Sequence, residues 1–199
     1  SSDCVIHVPP ESLTATQRTQ VEGLADTTSD DPPVRAVTVT VDAPTMTDVT
    51  GDGDRVMAKV SESVPCDRID LQAARQLPAL LRDNDFAVQT VVRRGEAVAF
   101  AAPGTPVLGI AIDLGTTKIA GYLLDMRNGH TLAAAGIMNP QIRFGEDVVT
   151  RMSHVMQSED GAAALSGGVV ASLNDLARDL AAEAGADVSR IVEVTIGGN

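Results

Sequence analysis

The sequence predicts a mixed α/β protein built from two consecutive units, residues 1–104 and 105–199. Three observations lead to this expectation. Strand-like and helix-like hydrophobic patterns alternate along the chain, small uncharged residues interrupt them at 101–106, and a continuous apolar run follows at once. Each unit has a length typical of a small domain.

The composition excludes several classes of protein. Hydrophobic residues make up 44% of the chain and charged residues 21%, as in ordinary globular proteins. The net charge of −12 repels nucleic-acid phosphates, and an aromatic content of 2% leaves few rings for stacking on bases, so nucleic-acid binding is not expected. No apolar stretch approaches the roughly 20 residues of a membrane span. Cys4 and Cys66 lack metal-ligand spacing, so we expect reduced thiols and a cytoplasmic location.

The first unit shows secondary-structure signals but no chemical motif. Alternating apolar residues predict strands at 4–8, 34–41 and 86–92, and an Arg-Arg-Gly-Glu turn leads from the last of these into a strand at 97–100. Apolar residues that recur every three or four positions predict a helix over 67–82, whereas 48–54 has the composition of a polar loop.

The second unit has a clearer pattern. Four strands are expected, at 107–112, 118–125, 131–138 and 191–196, and the strand at 191–196 is expected to be buried. Three helical segments are expected, at 145–157, at 162–168 as a hinge or weak helix start, and at 169–184 before Gly185. The first of these helices should pack with one apolar side: Val148, Val149, Met152, Val155 and Met156. Because the chain has few aromatic side chains, Met138, Met152 and Met156 are expected to fill the core.

The most informative motif follows the buried strand that begins at residue 107. Asp113 ends this strand, and Gly115, Thr116 and Thr117 form a turn before Lys118. A glycine allows close approach and a positive φ, while N–H groups and hydroxyls donate hydrogen bonds to phosphate oxygens. Asp113 would hold hydrated Mg²⁺ through water, and Lys118 would add positive charge near a terminal phosphate. The alternative is a plain hairpin turn in which these residues bind nothing.

The same residues carry a family resemblance. The run Asp-Leu-Gly-Thr-Thr-Lys at 113–118, followed by a three-strand meander, a helix and a further strand, resembles the first phosphate loop of the acetate and sugar kinase, heat-shock chaperone and actin superfamily. Residues 139–151, Asn-Pro-Gln-Ile-Arg-Phe-Gly-Glu-Asp-Val-Val-Thr-Arg, more narrowly resemble the ATP-dependent reductive activators of corrinoid proteins, as do residues 9–18. The resemblance implies a small α/β middle domain over 1–104 and a partial ribonuclease H-like (actin-like ATPase) lobe with a mixed sheet over 105–199.

The resemblance also implies an activity. Such activators return oxidised Co(II) corrinoid to the Co(I) state with electrons from a ferredoxin-like [2Fe–2S] domain, driven by ATP with Mg²⁺. The partner would be the corrinoid protein of a methyltransferase system, and a homodimer is compatible with this role. On this resemblance Asp113, Gly115, Thr116 and Thr117 lie on the nucleotide phosphate and magnesium loop, and Lys118 stands where the family more often has Thr.

The chain departs from the full family pattern in two respects. No cysteine spacing of a [2Fe–2S] domain is present, so we expect that domain to lie outside this chain. The Gly-Gly-Asn end corresponds to a Gly-Asn-Thr run in the family, so we expect the second phosphate loop and the adenosine-binding half to lie further on. This chain alone should be nearly inactive as an ATPase.

Other candidate sites have simpler interpretations. Glu146 and Asp147 could form a carboxylate pair, and Arg143 or Arg151 could contact phosphate, but a solvated helix start explains the acidic pair better. Two further functions stay open. One is a related ATP-driven electron activator or small-molecule kinase of the same superfamily, and the other is a non-catalytic docking module for a partner protein.

Overall fold

The computed structural model describes residues 32–198, which form two α/β units. The elements of the first unit are β1 (Val34–Thr40), α1 (Asp52–Ser61), β2 (Arg68–Ile69), α2 (Leu71–Asp83), β3 (Ala87–Arg93) and β4 (Glu96–Ala101). Those of the second are β5 (Leu108–Leu114), β6 (Lys118–Asp125), β7 (His130–Met138), a 3₁₀ turn (Pro140–Phe144), α3 (Val148–Gln157), α4 (Gly161–Glu183), a 3₁₀ turn (Val188–Arg190) and β8 (Ile191–Gly198). The strand expected at 4–8, the segment 9–18 and Cys4 lie outside the described residues.

The first unit is a four-stranded sheet with two helices on one face. Its strand order is β1-β3-β4-β2, with β2 parallel to β4 and the other neighbours antiparallel. Asp70 is the N-cap of α2, and its carboxylate accepts hydrogen bonds from the N–H groups of Gln72 (2.8 Å) and Ala73 (3.0 Å). The strands expected at 34–41, 86–92 and 97–100 are confirmed. The helix expected over 67–82 is confirmed from Leu71 onward, whereas Arg68 and Ile69 at its expected start form β2.

One helix of the first unit was not expected from sequence. The predicted polar loop through residue 54 in fact contains the first turn of α1, where Asp52 and Asp54 interact favourably with the helix dipole. Val56 and Val60, one helical turn apart, are fully buried in the core of this unit. Their spacing was the available signal for this helix.

The second unit is also a four-stranded mixed sheet. Its order is β7-β6-β5-β8, antiparallel except for the parallel pair β5 and β8. Helix α4 covers one face, and the core between them is formed by Leu108, Ile110, Ile112, Ile119, Leu123, Ala133, Leu176 and Leu180. Helix α4 begins at Gly161 and runs without interruption through the segment 162–168. The expected helix start there is confirmed, and the alternative of a hinge is wrong. The predicted α/β class with a mixed second sheet is confirmed.

The two units contact each other through a small apolar cluster and two polar links. Val34 and Val91 of the first unit pack with Val107 at the start of the second. The side-chain amide of Gln89 donates a 2.7 Å hydrogen bond to the carbonyl of Thr105 in the connecting segment. The guanidinium of Arg93 lies 3.0 Å from the carboxylate of Glu193 on β8.

Within residues 32–198, no helix combines the length and the hydrophobicity needed to cross a membrane.

Candidate functional site

The motif at residues 113–118 lies where two parallel strands end side by side. Asp113 of β5 pairs with Gly197 of β8, and Leu114 pairs with Gly198. The carboxyl ends of parallel strands share one edge of a sheet, which is a common position for ligand sites in α/β folds. The turn between β5 and β6, residues 115–118, extends from this edge. We call it the β5–β6 loop.

Gly115 is required in this loop for close approach. Its N–H donates a 2.9 Å hydrogen bond to the carbonyl of Lys118, and a Cβ atom at this position would lie 2.7 Å from that same oxygen. Its φ is not in the left-handed region, so the expected positive φ is wrong. The absence of a side chain therefore allows the tight hydrogen-bonded closure of the hairpin.

Three successive carbonyl groups of the loop accept hydrogen bonds from groups inside the protein. The side-chain amide of Asn139 donates to the carbonyl of Gly115 (2.8 Å), and the Asn139 N–H donates to the carbonyl of Thr117 (2.8 Å). The guanidinium of Arg151 donates to the carbonyl of Thr116 at 2.6 Å. Asn139 and Arg151 are only 3% and 5% exposed. Two buried side chains thus fix the orientation of the loop.

This anchoring determines where the loop's N–H groups point. In a trans peptide the C=O and the following N–H point in opposite directions. Because the carbonyls of Gly115 and Thr116 point inward, the N–H groups of Thr116 and Thr117 point away from the interior, and neither donates a hydrogen bond to another described residue. Adjacent unpaired N–H groups of this kind form an anion-binding concavity.

The five predicted site residues share one hairpin but are divided between the faces of the sheet. Gly115 and Thr116 line a groove on the side of α4, and Thr117 is exposed at the turn. Asp113 lies on the opposite face, since its strand neighbour Ile112 packs towards α4. Lys118 lies on that same opposite face, because the next residue of β6 belongs to the core.

Asp113 satisfies the requirements of a ligand for a hydrated cation. Its carboxylate is exposed and forms no hydrogen bond or ion pair with any other residue in the range 32–198. Mg²⁺ is commonly held through one or two carboxylates and several waters, so an uncommitted carboxylate beside a loop of free N–H groups fits a magnesium–phosphate pair. No group of three or more metal-ligating side chains occurs among the described residues.

The groove beside the loop has a volume of about 630 Å³ and is mainly apolar. Its apolar lining comes from α3, α4, β5 and β8: Leu114, Val148, Met152, Val155, Met156, Leu165 and Ile196. We expected the apolar side of α3 and the methionines to pack in the core. That expectation is wrong, because Met138, Met152 and Met156 are 55%, 59% and 85% exposed.

Apolar side chains are exposed on β8 as well as on α3. This strand is an edge strand among the described residues, and Val194 and Ile196 are about half exposed rather than buried as predicted. Ile196 and Met152 line the same groove. The apolar residues of α3 and β8 therefore form one continuous surface next to the β5–β6 loop.

The acidic pair before α3 has the structural role expected of a helix start. The carboxylate of Asp147 accepts a 2.7 Å hydrogen bond from the Thr150 N–H, and this bond lowers the pKa of Asp147. Glu146 is exposed. Arg143 is also exposed, with its guanidinium 4.6 Å from the ring centre of Phe144.

Asn139 and Arg151 were not assigned these roles from sequence. Asn139 is 24 residues from Gly115 and Arg151 is 35 residues from Thr116. Contacts at such separations leave no local periodicity. The only signal was the presence of both residues in the segment 139–151 that resembles the corrinoid activators.

Family models match both units of the chain. Residues 23–106 match the family model described as the RACo linker region, and residues 108–199 match the model described as the RACo middle region. These descriptions give the name middle region to the second unit, whereas the resemblance above gave the name middle domain to the first.

Two characterised relatives are similar to the chain. The corrinoid activation enzyme RamQ of Eubacterium limosum is 30% identical over 94 residues, which cover 47% of this chain and 16% of that protein. A solved structure named reductive activator for corrinoid, iron–sulfur protein matches with a TM-score of 0.72 and 29% identity, over 89% of this chain and 29% of that one. The chain thus spans less than a third of either relative. The chain therefore comprises the linker and middle regions of the RACo family.

Proposed function

We propose that this chain is part of an ATP-dependent activator that returns a Co(II) corrinoid protein to the Co(I) state, and that its β5–β6 loop binds nucleotide phosphate. One observation carries the assignment of the loop. Its carbonyls at Gly115, Thr116 and Thr117 are all bonded to buried groups, which leaves the N–H groups of Thr116 and Thr117 directed outward.

Each residue of the loop has a role in this proposal. The N–H groups and hydroxyls of Thr116 and Thr117 donate hydrogen bonds to phosphate oxygens, and Lys118 adds positive charge. Asp113 holds Mg²⁺ through its water ligands, and the bound ion offsets the phosphate charge that would otherwise repel this carboxylate. Gly115 allows the hairpin to close.

The proposed electron donor and the proposed corrinoid partner both lie outside this chain. We propose that a [2Fe–2S] domain outside this chain donates the electron that reduces Co(II) to Co(I), and that ATP binding and hydrolysis supply the free energy. The names of the two relatives, a corrinoid activation enzyme and a reductive activator for a corrinoid, iron–sulfur protein, support a corrinoid protein as partner.

The test uses the full-length protein with Asp113→Ala and, as a matched control, Asp42→Ala, which removes one exposed carboxylate of the first unit. With Mg²⁺, Asp113→Ala should raise the Kd of ATP by roughly tenfold, equivalent to about 1.4 kcal/mol. In EDTA the same variant should bind ATP as well as or better than wild type, since an unscreened carboxylate repels phosphate. Corrinoid reduction, followed by absorbance, should slow in parallel.

Three outcomes would contradict the proposal. If the wild-type protein binds no ATP, the loop is not a nucleotide site, and the docking-module alternative becomes the better one. If Asp113→Ala and Asp42→Ala bind MgATP equally well, Asp113 does not hold the metal. If ATP binds but no corrinoid protein is reduced, the result favours a related activator or small-molecule kinase.

A further inference from the structure

We propose that Arg151 is a positioning residue of the β5–β6 loop. Its guanidinium places a buried positive charge behind the loop. Its guanidinium fixes the Thr116 carbonyl and thereby directs the Thr117 N–H towards the bound phosphate. This inference rests on the proposed function, because the role has meaning only if the loop binds phosphate.

The guanidinium of Arg151 donates three separate hydrogen bonds. One guanidinium nitrogen donates to the Thr116 carbonyl at 2.6 Å, and the Nε–H donates to the Gly145 carbonyl at 2.8 Å. The remaining nitrogen lies 3.3 Å from the side-chain oxygen of Gln141. The planar guanidinium therefore links the loop to the segment before α3 and to the 3₁₀ turn, as a lysine ammonium on a flexible stem would not.

The partners of this buried cation are neutral. Arg151 forms no ion pair with a carboxylate in the part of the chain that the structure describes. Asp147, the acidic residue one turn before it, is hydrogen-bonded to the Thr150 N–H and interacts with Arg151 only through a weaker Coulombic attraction. Burial of a charge is costly unless it is well compensated. A phosphate at the neighbouring N–H groups would add a second, stronger source of negative charge.

The peptide unit between residues 116 and 117 transmits the effect. Its carbonyl accepts from Arg151, and its N–H, on the opposite side of the same plane, belongs to Thr117. A charge-assisted hydrogen bond at the oxygen polarises the peptide and makes the N–H a stronger donor. In a chain of net charge −12, a fixed cation behind the loop also offsets the repulsion that an approaching phosphate meets.

The experiment compares three variants of the full-length protein. Arg151→Gln removes the charge, and Arg151→Lys keeps the charge but loses the three hydrogen bonds of the planar guanidinium. Arg143→Gln is the matched control at an exposed arginine within the 3₁₀ turn. The Kd values of MgATP and of inorganic pyrophosphate are measured by calorimetry at about 50 and about 300 mM salt, on either side of physiological ionic strength. Thermal unfolding without ligand is recorded for each variant.

We expect Arg151→Gln to weaken both ligands by about tenfold or more and to reduce the salt dependence of binding, and Arg151→Lys to recover a substantial part of the affinity. Arg143→Gln should stay within about twofold of wild type. A merely structural arginine would make the Lys and Gln variants equally weak, and that result overturns the inference. If Arg151→Gln does not fold, the lysine variant decides. An affinity of Arg151→Lys for MgATP within about fivefold of wild type supports the role of the positive charge. A folded Arg151→Lys protein that does not bind MgATP overturns the inference.

The two proposals fail in different ways. If the wild-type protein binds neither MgATP nor pyrophosphate, the proposed function fails. If wild type binds both and Asp113→Ala weakens MgATP, but Arg151→Gln binds like wild type, only the role of Arg151 is wrong.

Discussion

Asn139 and Gly115 are 24 residues apart in the sequence, and the side-chain amide of Asn139 donates a 2.8 Å hydrogen bond to the Gly115 carbonyl. The amide oxygen of the same side chain accepts from the Gln141 N–H at 2.9 Å. Both ends of a buried amide are therefore satisfied, one by the β5–β6 loop and the other by the start of the 3₁₀ turn. The chain after β7 is thereby tied to the hairpin that precedes it.

Asn139→Asp should disrupt this link. A carboxylate cannot donate to the Gly115 carbonyl and would face it with negative charge, so we expect the free energy of unfolding to fall by about 2–3 kcal/mol. Asn128→Asp is the matched control, because Asn128 is exposed and acts as an acceptor from the His130 N–H, a role that Asp retains. Urea unfolding measures both. Equal stabilities of the two variants would show that the Asn139 bond contributes little.

Gly115→Ala should damage the loop itself. The new Cβ would lie 2.7 Å from the Lys118 carbonyl oxygen, which is backbone and cannot move aside without opening the hairpin. We expect a loss of about 1–3 kcal/mol in stability, with weaker binding of MgATP. Gly167→Ala is the control, since no atom lies within 4 Å of its Cβ position and alanine should stabilise α4 by up to about 1 kcal/mol. A neutral Gly115→Ala would contradict the close-approach argument.

Acid should weaken the β6–β7 turn through Asp125. This carboxylate, 6% exposed, accepts several hydrogen bonds from Arg127, and these lower its pKa below the ordinary value of about 3.9. A lowered pKa in the folded state stabilises the fold above the unfolded-state pKa, and this contribution is lost as pH falls through the lower folded-state pKa.

The test is the free energy of unfolding of wild type and Asp125→Asn, measured from pH 7 to pH 3. The variant should be less stable by about 1–2 kcal/mol at pH 7, and the difference should decrease below about pH 4. Asp48, whose pKa Arg55 lowers to about 2, is present in both proteins and cancels in the difference. If the stability difference between wild type and Asp125→Asn does not change with pH, the lowered pKa of Asp125 is not its cause.

Thr90→Val should stabilise the first unit. Thr90 lies in β3 and is fully buried, and its hydroxyl has no hydrogen-bond partner among the described residues. Valine has nearly the same shape without the unpaired polar group, so we expect a gain of about 1 kcal/mol, seen as a higher Tm. Thr38→Val on the exposed side of β1 should change stability by less than about 0.5 kcal/mol. A lower Tm for Thr90→Val would indicate that its hydroxyl is satisfied.

The strands of the second unit could be predicted from sequence because their signals are local. A continuous apolar run precedes Asp113, and an Asn-Gly pair marks the turn before β7, so the hairpins follow from short-range chemistry. The five residues of the motif could be located for the same reason. Their division between two faces of the sheet could not be foreseen, because the register and the side covered by α4 depend on the whole unit.

The apolar pattern of α3 shows the limit of this reasoning. Periodicity identifies the helix, but it does not say what its apolar side contacts. Within the described residues that side is open, and the helix instead buries Arg151. The prediction of a core-facing methionine row was wrong because amphipathicity indicates a surface that is to be covered, without identifying the covering element.

Helix α3 carries Arg151 and two exposed methionines beside the same groove, and this has a consequence for coupling. Arg151 bonds to the Thr116 carbonyl, while Met152 and Met156 line the open groove next to it. If occupancy of the loop changes the position of α3, any molecule that contacts the methionines must respond to that occupancy. By reciprocity, such contact alters affinity at the loop by the same factor. If the β5–β6 loop binds phosphate as proposed, Arg151 links phosphate binding at the loop to the binding of any partner at the groove.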